Sequence, residues 1–97
     1  MEYIIKTTNK KIKLPTRGYY KVGDSGEDIA IISSFLALNF FGFESKLNRK
    51  VDNMLGDYFG DSLLAWIKEF QKITDLETDG NIGPITLNKL REYGLTS

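Results

Sequence analysis

Apolar residues recur at helical spacing in three separate stretches of the chain. Ile29, Ile32, Leu36 and Phe40 lie three or four positions apart, a spacing that lines one side of a helix with core-facing side chains. Ser25, followed three residues later by Asp28, forms a variant capping pair that opens this first helix, and Gly42 closes it. Residues 29–43 carry no charge, yet Ser33, Ser34 and Asn39 interrupt them and a membrane span needs about 20 apolar residues, so a buried core helix is expected.

A second stripe, Leu63, Leu64, Ile67 and Phe70 with Ala65 and Trp66 beside it, opens at a capping Asp61 or Ser62 and runs to Lys72. The third helix begins at Gly83-Pro84, because proline suits a first turn whose N–H has no partner, and continues through Leu87, Leu90 and Tyr93. Gly94 ends it in a left-handed cap that lets Leu95 pack back on Leu90. Between the first two helices, residues 44–58 are polar with scattered Leu47, Val51, Met54 and Leu55, and predict a long ordered loop with room for one helical turn. Residues 1–16 read as a short hairpin or extended arm: Tyr3-Ile4-Ile5 and Ile12-Lys13-Leu14 flank a polar turn, and Pro15 ends the second run.

The second and third helices repeat each other at a constant offset. Gly60 matches Gly83, Leu64 matches Leu87, Ile67 matches Leu90 and Phe70 matches Tyr93. Two loop-to-helix units of one kind, packed with the first helix, predict an all-α chain: a compact three-helix bundle with long ordered loops, occupying residues 17–97 behind the arm of residues 1–16. Its expected core is Ile29, Ile32, Leu36, Leu64, Ile67, Phe70, Leu87 and Leu90. Phe35, Phe40, Phe41 and Phe43 cannot all turn inward from one helix, so one or two are expected to be exposed.

Composition narrows the chemistry more than it narrows the fold. With 97 residues, 41% hydrophobic and 27% charged, the chain suits one globular domain. It has neither cysteine nor histidine, which removes disulfides, Cys/His zinc sites, thiol nucleophiles and histidine-based triads. Carboxylate-only catalysis, hard-cation binding through oxygen, or no catalysis remain. No Asp or Glu sits in an evidently apolar setting that would raise its pKa, which disfavours the first. Charge is balanced at 13 basic and 13 acidic residues, but Lys6, Lys10, Lys11, Lys13, Arg17 and Lys21 crowd the beginning against Glu2 alone. The remainder is acidic, which argues against a helical DNA binder, since duplex binding needs a basic face. The opening MEYIIK lacks the features of a signal peptide; a cytoplasmically made protein acting elsewhere would need another export route.

The order Gly23-Asp24-Ser25-Gly26-Glu27-Asp28-Ile29, then Leu36, Phe59-Gly60, Phe70-Gln71 and Asp79-Gly80-Asn81-Ile82-Gly83-Pro84-Ile85-Thr86 resembles the peptidoglycan-binding domain of the three-helix type. Leu14-Pro15-Thr16-Arg17-Gly18-Tyr19-Tyr20 is similar to the lead-in of the C-terminal wall-binding module in phage endolysins. The resemblance spans residues 14–95. It departs from the family at Ser33, where glutamine is frequent, at Gly56-Asp57, at Thr74-Asp75, and in an enlarged loop over residues 44–55. On their own chemistry, Asp79-Gly80 makes a tight turn with positive φ at glycine, Gly83 admits close approach of a neighbouring helix, Thr86 hydrogen-bonds within its first turn, and Gln71 satisfies loop amides.

The resemblance implies a non-catalytic module that binds bacterial cell-wall peptidoglycan and targets a cell-wall hydrolase, with no cofactor, no metal, no nucleic acid and no membrane as partner. A separately translated interaction or regulatory domain, assembling with its full-length lytic enzyme, is the alternative. Sugar recognition needs aromatic faces with polar rims, and the candidates are Tyr19, Tyr20, Tyr58 and Trp66 beside Asp57, Asn81 and Asn88. Asp75, Glu77, Asp79, Gly80 and Ile82 also follow the spacing of a calcium loop, but its twelfth position is Thr86, where a bidentate carboxylate is required, and Gly83-Pro84 breaks the run.

Overall fold

In the computed structural model, which describes residues 11–96, the chain forms five helices: α1 Glu27–Asn39, α2 Phe43–Leu47, α3 Val51–Met54, α4 Asp61–Ile73 and α5 Pro84–Glu92. Strand-like pairing among the described residues is confined to two isolated antiparallel bridges, Tyr20 with Ile82 and Ser25 with Tyr58. The all-α expectation holds. No helix among the described residues is long and apolar enough to cross a membrane. Most of the expected N-terminal hairpin lies outside the described residues, but Ile12 is buried in the core and Leu14 packs against it.

Every residue from Asp28 to Ala37 is buried, so α1 is enclosed on all sides. That burial explains why its apolar residues occur on every side instead of forming one stripe. Its two interior serines must therefore be satisfied. Ser33 Oγ donates to the carbonyls of Ala30 (3.1 Å) and Gly56 (3.0 Å) and accepts the Gly56 N–H (3.1 Å), which bolts the 55–57 loop to the central helix.

The predicted capping pair at Ser25 does not form. Gly26, with φ 137°, is the N-cap and no side chain caps the helix. The Gly26 N–H is drawn to the Asp57 carbonyl at 2.8 Å, and Asp28 turns its carboxylate to the Tyr20 hydroxyl and the Lys13 N–H instead. The helix also stops at Asn39, short of Gly42, where Phe40 folds back into an aromatic cluster. Its ring lies 5.2 Å from Phe43, 5.3 Å from Phe70 and 5.9 Å from Tyr93. Phe35 and Phe43 are buried, Phe40 is partly buried, and Phe41 alone of the four is exposed.

Residues 44–58 hold more structure than the single turn expected. Asn48 takes a left-handed conformation between α2 and α3, and Glu44 accepts the Val51 N–H at 2.9 Å to start α3. Three ties join this segment to α4: an ion pair of Lys46 with buried Glu69, a hydrogen bond from Trp66 Nε1 to the Arg49 carbonyl, and the burial of Val51 and Met54. The most extensive backbone approach of helix to helix consequently joins α4 to α2 and α3, whereas α4 and α5 are joined by the Gln71–Thr86 hydrogen bond and by the Phe70 and Tyr93 rings just past α5. The arrangement thus differs from a simple bundle of three.

Neither Asp61 nor Ser62 caps α4; Gly60 does, as Gly83 does for α5. The two N-caps have matching backbones, φ/ψ −104°/−169° and −98°/−167°, so the repeat read in sequence is a repeat in geometry. The preceding residues, Phe59 and Ile82, are both fully buried and both held by one segment: Phe59 bonds to Gly23 and Asp24, and Ile82 exchanges two bonds with Tyr20. Residues 20–26 therefore clasp both units. Of the eight expected core residues, Leu64 alone is partly buried. The predicted C-terminal cap forms, with Gly94 at φ 119° and the Leu95 N–H on the Leu90 carbonyl at 3.1 Å.

Candidate functional site

Where the N-terminal clasp meets the second repeat unit, a groove of about 400 Å³ opens between Gly18-Tyr19 on one side and residues 76–86 on the other. Leu76, Pro84, Ile85 and the Tyr19 ring supply apolar surface; Glu77, Asp79, Asn81 and Thr86 supply polar groups. Ile85 is 72% exposed, the most of any large hydrophobic side chain among the described residues.

One buried amide organises the far wall. Gln71, almost fully buried, accepts the Gly80 N–H at 2.9 Å and directs its own amide nitrogen to Asp79 Oδ1 (3.1 Å), the Asn81 carbonyl (2.9 Å) and Thr86 Oγ1 (3.0 Å). This is the amide-satisfying role read from sequence, and it revises the expectation for Thr86, whose hydroxyl serves Gln71 rather than its own helical turn. The Asp79 carboxylate also accepts the Asn81 N–H at 2.9 Å, closing the turn in which Gly80 has φ 78°. Gly83 has no neighbouring helix against it. A Cβ there would meet Tyr19 Cβ at 3.7 Å and the Gly18 carbonyl at 3.9 Å, so the close neighbour is the Tyr19 loop.

The near wall is braced by Arg17. Its guanidinium lies over the Tyr19 ring, 5.4 Å from the centroid, donates to the Tyr19 carbonyl at 3.0 Å, and pairs with Asp24. That bond, helped by the Lys21 N–H, holds the Asp24 carboxyl below its ordinary range despite some desolvation. Tyr20, next in the chain, faces the other way. Its hydroxyl donates within hydrogen-bonding range of Asp28 Oδ2 (2.7 Å) and the Lys13 carbonyl (2.9 Å), and burial followed by the Asp28 bond pushes its ionisation well above the ordinary tyrosine range.

Of the seven residues singled out in sequence, Tyr19 and Asn81 line this groove. Tyr20 is spent on structure. Trp66 is fully buried between Phe43 and the Arg49 carbonyl and presents no face to a ligand; its flanking position on the helical stripe is a core position because α2 and α3 cover that side. Tyr58 is 60% exposed and Asp57 is exposed, but both lie by the Ser25 bridge, outside the groove lining. Asn88 sits on the outer face of α5, accepting from Arg91. Sequence reasoning missed Leu76, Glu77, Pro84 and Ile85. Ile85 carried a usable signal, being an apolar residue off the Leu87–Leu90 stripe at a place where its repeat partner is Ser62.

Among the described residues no group of three or more Asp or Glu is placed to hold a metal ion. Asp75, first in the calcium-like spacing, occupies a left-handed position just after α4.

No curated protein and no solved structure matches the chain. A family model does: residues 36–90, more than half of the sequence, match the peptidoglycan binding domain. That match takes in α4, the Gln71-centred turn and most of α5, the elements that build the far wall of the groove. The chain belongs to the peptidoglycan binding domain family.

Proposed function

We propose that the Tyr19–Ile85 groove is where this chain holds bacterial cell-wall peptidoglycan, and that the chain is a non-catalytic module directing a cell-wall hydrolase, such as a phage endolysin, to its substrate. The groove's composition carries this reading. An aromatic ring faces a wall on which exposed aliphatic surface adjoins hydrogen-bonding groups fixed by a buried amide, which suits a ligand with apolar C–H faces and polar edges. The chain's chemistry supports the non-catalytic part: it has no histidine or cysteine, and the two groove carboxylates stand in solvent without the apolar enclosure that makes a general acid. Binding is accordingly the module's contribution, and bond cleavage belongs to a catalytic partner at the wall.

The test is sedimentation of the purified chain with purified cell walls. The wild type is expected to co-sediment while releasing no reducing sugar, amine or peptide, and Tyr19→Ala and Ile85→Ala are expected to stay in the supernatant while melting like wild type. Turnover by the pure chain would refute the non-catalytic reading. Undiminished sedimentation of both variants would refute the groove.

A further inference from the structure

The charge of the groove singles out one part of the wall polymer. Among the described residues, Glu77 and Asp79 line it and no lysine or arginine does. Both carboxylates are exposed, and neither forms an ion pair with the described residues. Asp79 is fixed in orientation by Gln71 and Asn81, so its negative charge is presented without the entropy cost of ordering a free side chain.

Resting on the proposal that this groove is the peptidoglycan site, we propose that its occupant is the peptide stem, engaged through the free side-chain amine of its diamino residue, and not the glycan strand. The N-acetylated glycan offers hydroxyl and amide groups but no cation, so two unpaired carboxylates would gain little from it. A stem peptide offers a primary ammonium at the end of a short aliphatic chain. The aliphatic part matches Leu76, Pro84 and Ile85, and the ammonium matches Glu77 and Asp79, which need only one such group between them. Tyr19 closes the opposite side, where its ring covers the methylene or methyl groups of the stem. A wall whose diamino residue is cross-linked through that amine has lost the cation, so the groove discriminates uncross-linked from cross-linked stems.

Titration with a soluble disaccharide-peptide fragment of peptidoglycan tests this, comparing the fragment bearing a free side-chain amine with the same fragment N-acetylated there. The free-amine fragment is expected to bind about fivefold more tightly, the scale of partly exposed ion pairs, and Glu77→Gln is expected to erase most of the difference. Glu77 is exposed, so an unchanged melting curve will certify that variant. Equal affinity for both fragments, with Tyr19→Ala still abolishing binding, would overturn the amine assignment and leave the groove as the site of another part of the polymer. Intact binding of fragments and of whole walls in Tyr19→Ala and Ile85→Ala would remove the groove itself, and the amine assignment with it.

Discussion

Two glycines show how position, and not residue type, decides the cost of a side chain. Gly80 has φ 78°, and a Cβ there would stand 2.4 Å from Leu64 Cδ1 and 3.1 Å from Lys68 Cε. Gly80→Ala is therefore both strained in backbone and overlapping in space, and a loss of about 2 to 3 kcal/mol in thermal or urea unfolding is expected. Gly83 has an extended φ of −98° and its nearest neighbour would be an ordinary 3.7 Å away. Gly83→Ala is expected to fold with a smaller loss of about 1 kcal/mol, the amount by which alanine falls short of glycine at an N-cap. Equal losses at both positions would mean that the turn geometry around Gly80 is misassigned. The sequence motif marks both glycines alike; the distinction comes from the chain that runs past them.

Gln71 acts at the scale of an element, since a single side chain on α4 sets the shape of the 79–86 segment that begins α5. Replacing it by leucine keeps the volume but leaves the Gly80 N–H and the Thr86 hydroxyl buried without their partner. Each such group costs about 1 to 3 kcal/mol, so Gln71→Leu is expected to destabilise by at least about 2 kcal/mol and to weaken wall binding further at temperatures where the variant is still folded. Wild-type affinity in a folded Gln71→Leu chain would disconnect the amide from the groove. The position and purpose of this residue were legible in the sequence, as were the stripes of α4 and α5, the repeat offset, Pro84 at a first turn and the cap at Gly94, because each follows from local chemistry.

What was not legible depended on contacts between distant segments. The Ser25 cap fails because Asp57 and Tyr58 take up the backbone there, and Ser33 is polar within a buried helix because Gly56 returns to it. Trp66 reads as a flanking aromatic until α2 and α3 cover it, and the groove itself needs residues 18–19 and 76–86 brought together. No periodicity encodes those meetings.

For the whole molecule, the open choice is between a basic arm that holds an anionic wall polymer and a groove that holds its ligand largely by shape. Exposed charges are screened over about 10 Å at 0.1 M ionic strength, so an arm-driven complex would lose affinity steeply as salt rises. The groove mixes a ring, aliphatic surface and two carboxylates, and its binding is expected to fall only about fivefold or less between about 0.05 and about 0.5 M salt. Lys11 and Lys13, both exposed, provide the clean substitution: Lys11→Gln with Lys13→Gln is expected to leave wall binding unchanged. Arg17 cannot serve that purpose, because it carries the Tyr19 ring and carbonyl as well as a charge. Arg17→Gln is expected to weaken binding by a similar factor at low and high salt, the mark of a displaced Tyr19, whereas an arm acting through charge would make the Arg17 effect vanish as salt increases. Binding that disappears in moderate salt and in the double lysine variant, while surviving Tyr19→Ala, would transfer the function from the groove to the arm.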